Sequence, residues 1–340
     1  MEFLSFNTAT KDLSLKTAPI PIPEKDEVLV RVAYSGVCGT DLHILEGLFP
    51  TKNDDSLILG HEFVGTIEGL GNEVKNLKIG QKVAVDPNKG CNKCTDCYRG
   101  FYHFCESGRI NFTIGIFKNG GWATHVIVPE SQIHLMPDDI DMLQAALAEP
   151  LSCIIHGWDL INPITIGSKV LIIGAGIIGL LWACTLHLHG LRKTVTISAA
   201  MPMRQKIAEN LGLEYEVCTP DQLEGKKFDF VIDCSGSASA IESAFPLLNN
   251  RGTLCIFGVA NPTATMKINP FEVYMKELKI FGVKVNPFTF PNGLSLVQTM
   301  GNQYLNHEKL GIHVCKLSEY EDAIHALREK QITKVIFELC

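Results

Sequence analysis

The chain is long enough for about two domains and has the composition of an ordinary globular protein. It contains 340 residues, of which 46% are hydrophobic and 20% are charged, and one hydrophobic core rarely serves a chain of that length. The net charge is −7, so nothing indicates nucleic acid or an anionic membrane as a partner. The longest apolar run, residues 170–182, is interrupted by glycines and is too short to predict a membrane-spanning helix.

The N-terminus and the cysteines predict a cytoplasmic protein that binds metal ions. Residues 1–5 contain no basic region followed by an apolar run, so we expect no secretory signal. The sequence has 12 cysteines. Without a signal, cysteines in that number favour metal ligands over disulfides.

The first part of the chain predicts short strands of a small β-barrel. Residues 27–33 alternate polar and apolar side chains, which is the period of a half-buried strand. Further strand-like runs occur at residues 64–68, 80–85, 122–128 and 133–135, and glycines separate several of them.

A stretch rich in metal-ligand chemistry lies among these strands. It reads Gly-Val-Cys-Gly-Thr-Asp-Leu-His at residues 36–43 and Gly-His-Glu at residues 60–62. A thiolate, imidazoles and a carboxylate in one short region suit a zinc site with an open position and a proton exit. By itself such a set of residues is usually structural, and the rest of the chain is what favours metal binding.

Four cysteines form the strongest local motif. Cys91, Cys94, Cys97 and Cys105 are spaced C-x2-C-x2-C-x7-C, and four thiolates on one loop make a closed tetrahedral zinc site. An iron–sulfur cluster is the alternative, but its usual bacterial run has a shorter last spacer followed by proline. Here Glu106 follows, so we favour a structural zinc ion that fixes a lobe with little core of its own.

Residues 144–158 predict a helix that carries Glu149 immediately before Pro150. A glutamate in so apolar a stretch needs a partner if it is buried. Glu149 is therefore either an ordinary acid at a helix start or a late metal ligand. His125 and His134, in the strand-like runs before it, are interpreted as packing or surface residues.

From residue 169 the pattern changes to that of a nucleotide-binding α/β domain. Residues 169–173 are a continuous apolar strand. Gly174, Gly176 and Gly179, with Ile178 in the last spacer, form G-x-G-x-x-G where this strand ends and a helix begins. The glycines permit a tight turn and close approach of a pyrophosphate to the helix N-terminus.

The next strand, residues 194–198, favours NADP over NAD. An acid after this strand normally holds the adenosine ribose of NAD, whereas Ser198 and Ala199 stand here and Arg204 follows. A carboxylate would repel a 2′-phosphate, so its absence favours NADP, although Arg204 could simply be a surface helix residue.

The remaining sequence predicts a doubly wound parallel sheet. Strands at residues 228–233, 252–258 and 277–283 alternate with helical stretches such as residues 239–248. A last strand is predicted at residues 333–339.

The order of these motifs resembles that of the zinc-dependent medium-chain alcohol and polyol dehydrogenases, above all the sorbitol-type and threonine dehydrogenase branches. The resemblance covers essentially the whole chain. It implies an α/β protein with a GroES-like β-barrel catalytic domain at residues 1–151 and a Rossmann cofactor domain at residues 152–286. Residues 287–340 would return to the catalytic domain.

The resemblance also implies roles for individual residues. Cys38 and His61 would be ligands of a catalytic zinc ion, and either Glu62 or Glu149 would complete the set. Thr40 would accept the substrate hydroxyl proton and pass it through the cofactor ribose, and His43 would deliver it to solvent. Cys153 lies close in sequence and could compete as a ligand, but a buried, inert thiol is expected.

The implied reaction is hydride transfer between a secondary alcohol, foremost a polyol, and NAD(P), with a ketone as product. Val285 stands about where sorbitol-type enzymes have a substrate-holding arginine, so a sorbitol-like substrate does not follow. The alternatives are an L-threonine-type substrate or a cofactor-binding protein without turnover. The family also implies a homodimer or homotetramer, with residues 280–283 able to pair across a two-fold axis.

Overall fold

The computed structural model of the protein describes residues 1–339. Its N-terminal part is mainly β structure with short helices. The strands are β1 (Glu2–Asn7), β2 (Asp12–Thr17), β3 (Glu27–Val37), β4 (Glu62–Leu70), β5 (Lys82–Val85), β6 (His125–Pro129) and β7 (Ile133–Leu135). The helices are α1 (Gly39–Glu46), α2 (Thr95–Tyr98), α3 (Glu106–Phe112) and α4 (Met142–Ala145).

Strands and helices alternate in the following part. The helices are α5 (Ala148–Ile161), α6 (Ile177–Leu188), α7 (Pro202–Asn210), α8 (Ala238–Ala244) and α9 (Pro270–Lys276). The strands are β8 (Val170–Ile173), β9 (Val195–Ser198), β10 (Glu216–Cys218), β11 (Phe228–Asp233), β12 (Leu248–Ile256) and β13 (Lys279–Gly282).

The C-terminal segment contributes two helices and two strands, which are α10 (Phe290–Tyr304), β14 (Ile312–Lys316), α11 (Tyr320–Arg328) and β15 (Lys334–Glu338). Both strands join the sheet that contains β3, because β15 pairs with β3. The chain thus returns to its N-terminal sheet. The domain boundaries at residues 151 and 286 stay a prediction.

Two large sheets organise the molecule. The first is a seven-stranded sheet in the order β14-β15-β3-β4-β5-β7, in which β6 also pairs with β3. The second has six strands in the order β10-β9-β8-β11-β12-β13, and its strand pairs are parallel. This order reverses direction next to β8, which is the arrangement of a doubly wound Rossmann sheet. The predicted fold class, a β-barrel domain joined to such a sheet, is confirmed.

Some predicted element boundaries are wrong. The predicted helix 144–158 is two helices, because α4 ends at Ala145 and α5 begins at Ala148. Pro150 in the first turn of α5 has no N–H to bond back to residue 146, so the break falls just before it. The predicted helix 239–248 is α-helical only to Ala244 and continues as a 3-10 turn that contains Pro246.

One large buried cluster contains residues of both sheets, and it also includes helix α5. Its residues Leu151 and Ile154 are fully buried in a cluster with Trp182 of α6 and Phe290 of α10. Among residues 1–339, no helix combines the length and apolar character that crossing a lipid bilayer requires.

Candidate functional site

The pairing of three neighbouring strands brings the first candidate residues together. In β3, Gly36 lies opposite Glu62 of β4 on one side and Ile336 of β15 on the other. Cys38 comes directly after β3, and His61 directly precedes β4. The strand ends therefore converge on one point beside the N-terminus of α1.

Three of the predicted ligands form a compact cluster at this point. One donor atom from each of Cys38, His61 and Glu62 lies within 4.8 Å of the others. His61 and Glu62 are buried, whereas Cys38 is partly exposed. The cluster is therefore largely buried and partly exposed at Cys38, which is compatible with an open metal site.

Glu149 lies beside this cluster, but it is not among the residues whose donor atoms all lie within 4.8 Å of one another. It is in the first turn of α5 and is buried. Burial, reinforced by the charge of Glu62, raises the pKa of Glu149 to about 7, while His61 and Lys334 oppose the rise. The Cys153 thiol donates a hydrogen bond to Glu149 Oε1 at 3.4 Å, so Cys153 contacts the site, and burial raises its pKa well above the usual value.

Asp41 is a site residue that the sequence interpretation missed. It is fully buried, its Oδ2 accepts a hydrogen bond from the Cys38 backbone N–H at 2.8 Å, and its Oδ1 lies 3.3 Å from His61 Nδ1. A carboxylate in this place orients an imidazole ligand and raises its basicity. The signal was available, since Cys38-x-x-Asp41 has the spacing of a capping box at the start of a helix.

Lys334 is the second missed residue. It is 1% exposed, forms an ion pair with Glu62 Oε2, and donates to the Val37 carbonyl oxygen at 3.2 Å. Nothing in the local sequence of β15 distinguishes this lysine from a surface residue, because only the strand pairing brings it to the site.

The charge and donor chemistry of the cluster fit a zinc ion. Burial alone would lower the pKa of His61, yet the neighbouring Asp41 and Cys38 raise it well above its usual value. A buried carboxylate and a sulfur that both favour positive charge at His61 also suit a divalent cation. A thiolate, an imidazole and a carboxylate are the donor set that zinc accepts.

Thr40 and His43 lie on α1 next to the cluster. Both side chains are partly exposed. They follow Cys38 on the first and second turns of the helix, which is consistent with a route from the site to solvent. The relay itself stays a prediction.

The four cysteines lie together in a separate lobe. One sulfur from each of Cys91, Cys94, Cys97 and Cys105 lies within 4.8 Å of the others, and the Cys105 sulfur accepts a hydrogen bond from the Gly108 N–H at 3.1 Å. The Lys93 amide and then the Cys105 thiol lower the pKa of Cys91 to about 6. The lowered pKa of Cys91 and the close grouping of the four sulfurs both fit a closed metal site.

The glycine motif forms the turn between β8 and α6. Gly174 has φ +99°, which favours glycine, and a Cβ at Gly179 would overlap the Gly174 carbonyl oxygen. At Gly176, which caps α6, no atom lies within 4 Å of the place where a Cβ would be. Ile178 is partly exposed in the first turn. The turn thus leaves space for a pyrophosphate at the helix N-terminus.

The three residues predicted to select the cofactor lie at and after the end of β9. Ser198 and Ala199 are buried. Arg204 is half-buried and its Nη2 donates to the Ile332 carbonyl oxygen at 2.5 Å. Its Nη1 is buried and has no hydrogen-bond partner among residues 1–339. Arg204 is therefore not a free surface residue, and one of its nitrogens is buried without a hydrogen-bond partner in the described part of the chain.

Two family models match the chain in succession. Residues 24–138 match the alcohol dehydrogenase GroES-like domain, and residues 143–339 match the glucose dehydrogenase C-terminus. The chain is 33% identical to D-arabinitol dehydrogenase 1 of Uromyces fabae, over 96% of this chain and 93% of that protein. It is 30% identical to an L-threonine 3-dehydrogenase of Chelativorans sp., over 94% of each.

Solved structures give the same result. The chain superposes on a zinc-binding dehydrogenase from Sinorhizobium meliloti bound to NADP with a TM-score of 0.87. The two chains are 30% identical, and the match covers 99% of each.

Proposed function

The chain belongs to the zinc-dependent medium-chain alcohol and polyol dehydrogenase family, and we propose that Cys38, His61 and Glu62 hold its catalytic zinc ion. The observation that carries this assignment is the 4.8 Å grouping of their donor atoms at converging strand ends. Glu149 is proposed as the adjacent carboxylate that can replace Glu62 during turnover. The protein is thus an oxidoreductase that interconverts a secondary alcohol and its ketone with NAD(P).

The residues around the site have separable tasks. When bound, zinc lowers the pKa of the substrate hydroxyl as a Lewis acid, and the nicotinamide accepts hydride. Thr40 would accept the hydroxyl proton in a hydrogen bond and would pass its own proton to the ribose of a bound cofactor. His43, one turn further along α1, transfers that proton to solvent. Asp41 holds His61 in the orientation that ligation needs.

A sugar alcohol is the proposed substrate. The support is the 33% identity to D-arabinitol dehydrogenase 1 over nearly the whole chain. L-Threonine is the second candidate, because the Cys-Gly-Thr-Asp-Leu-His wording at residues 38–43 and the 30% identity to a threonine dehydrogenase favour it.

NADP is the proposed cofactor. No acid stands at the end of β9, where Ser198 and Ala199 lie instead. The unpartnered Nη1 of Arg204 supplies a donor for the extra phosphate, and guanidinium groups bind phosphate oxygens well. The glycine turn from Gly174 to Gly179 would receive the pyrophosphate.

A second, structural zinc ion is proposed for Cys91, Cys94, Cys97 and Cys105, because their sulfurs converge and leave no ligand position for substrate. We also infer a homodimer or homotetramer. The support is β13, which lies at the edge of the six-stranded sheet and is free to pair with a second copy. The expected cytoplasmic location stays a prediction.

Initial rates on zinc-loaded protein test the proposal. Nicotinamide absorbance is followed with D-arabinitol, D-sorbitol and L-threonine, each against NAD and NADP. We expect turnover of a polyol and preference for NADP. Preference for NAD would show that other groups hold the ribose. Turnover of L-threonine alone would replace the substrate proposal, and no turnover with any pair would contradict the catalytic assignment.

A further inference from the structure

Lys334 is a cation buried against a group of side chains that already fits a metal cation. Lys334 forms an ion pair with Glu62, and the two side chains are only 1% and 2% exposed, respectively. The protein has an ordinary lysine–glutamate pair nearby, Lys316 with Glu338, at 2.6 Å and mostly exposed. Burying a lysine is costly unless its charge is fully paired, so the buried pair calls for an explanation that the exposed one does not.

The backbone is shaped to admit this pair. Gly36 lies between Glu62 and the β15 strand in the sheet. A Cβ at Gly36 would overlap Glu62 Oε2 and lie 2.9 Å from Lys334 Cε. Any larger residue would therefore push the carboxylate and the ammonium group out of their present positions.

Lys334 leaves Glu62 only partly available as a ligand. The ammonium group contacts Oε2 of Glu62. Because it neutralises part of the negative charge of the carboxylate, Glu62 attracts a metal ion less strongly. When Glu62 leaves the metal, Lys334 still neutralises it, so no unpaired buried carboxylate results. The ligand can therefore be exchanged without a large penalty.

We propose that Lys334 is a positioning residue that competes with the metal for Glu62, which keeps one metal position exchangeable for substrate. This inference rests on the proposed function, since it takes Cys38, His61 and Glu62 as the catalytic ligands. Lys334 itself touches neither substrate nor cofactor in this role.

The test compares Lys334→Met with Lys316→Met, its exposed counterpart. Zinc retention is measured against a competing chelator, the Co²⁺-substituted proteins are compared by visible absorption, and turnover is measured on loaded protein. Lys334→Met should bind zinc at least about tenfold more tightly, because a neighbouring charge no longer competes for Glu62. Its turnover should fall at least about tenfold and its Co²⁺ spectrum should change. Lys316→Met should match the wild type in all three.

A second variant should change zinc affinity in the opposite direction. It keeps the buried positive charge, so it remains informative if Lys334→Met does not fold. Lys334→Arg offers a fork that can hold both oxygens of Glu62, and we expect it to retain zinc less tightly than the wild type. We also compare the effect of Lys334→Met in wild-type protein with its effect in the Glu62→Gln variant. The fold-change in zinc affinity should be at least about threefold smaller in the Glu62→Gln variant.

Weaker zinc retention in Lys334→Met, or tighter retention in Lys334→Arg, would overturn the proposal. Cys38→Ser separates this failure from that of the proposed function. If Cys38→Ser keeps all its zinc, the ligand assignment is wrong. If it loses zinc while Lys334→Met behaves like Lys316→Met, only the role of Lys334 is wrong.

Discussion

The two clusters of metal-ligand side chains are built in opposite ways. Cys38, His61 and Glu62 lie at the ends of strands in the seven-stranded sheet, and buried Asp41 and Lys334 surround them. The four cysteines lie on a loop with two short helices, α2 and α3, next to exposed aromatic side chains such as Tyr98, which is 77% exposed.

This difference indicates which cluster depends on the fold and which one supports it. The strand-end cluster receives its geometry from sheet pairing and buried neighbours, so a metal bound there would not be needed to hold the fold. The lobe has little apolar core, so its metal would replace the missing core. We therefore expect changes at the first cluster to affect turnover and changes at the second to affect stability.

Removing a thiolate from the strand-end cluster should have the largest effect. Cys38→Ser deletes a soft ligand and should lower kcat/KM by about a thousandfold or more, since a Lewis acid contributes several kcal/mol to such reactions. The circular dichroism spectrum should stay unchanged, because strand pairing and not the metal holds the site. Undiminished kcat/KM would contradict the catalytic assignment.

Removing the support of a ligand should have a smaller effect in the same direction. Asp41→Asn keeps the hydrogen bond to the Cys38 N–H but removes the charge that faces His61, so zinc affinity should fall about 10- to 100-fold. Competition with a chelator measures this. Asp55→Asn, at an exposed position, is the control and should leave zinc affinity unchanged. If the two variants bound zinc equally tightly, Asp41 would have no role in metal binding.

The sequence singled out the three residues of the strand-end cluster but not Asp41 and Lys334 beside them, and for Lys334 the reason is chain separation. Cys38, His61 and Glu62 fall in short motifs whose chemistry is visible locally. Lys334 is 272 residues from its partner Glu62 and reaches it only because β15 pairs with β3. A single sequence contains no signal for that pairing, so the lysine could not be assigned.

The fold class was predictable for a similar reason, because both sheets repeat local patterns. The apolar strand at residues 169–173 and the glycines after it define the β8–α6 turn without any distant information. Helix ends were less predictable. The break before α5 depends on Pro150, whose effect competes with the helix-forming residues 144–149.

Replacing Arg204 tests whether the region after β9 distinguishes NADP from NAD. Arg204→Ala removes the free guanidinium nitrogen, so the KM for NADP should rise about tenfold, since hydrogen bonds to charged groups are worth one to a few kcal/mol. The KM for NAD should stay within about twofold. Steady-state kinetics with both cofactors measures this, and equal changes for NAD and NADP would mean that Arg204 only anchors Ile332.

The lobe should show the smallest effect on turnover and a clear effect on stability, which is the reverse of Cys38→Ser. Cys94→Ser leaves three thiolates and should lower the melting temperature by roughly 5–10 °C, because a closed metal site contributes folding free energy. Turnover per folded molecule should stay within about twofold, since Cys94 has no contact with Cys38, His61 or Glu62 among the described hydrogen bonds and ion pairs. Cys218→Ser, at a buried thiol outside both clusters, is the control for losing a sulfhydryl, and chelation should lower its melting temperature as much as that of the wild type. If chelation lowers the melting temperature of Cys94→Ser as much as that of the wild type, the lobe does not use a metal in place of a core.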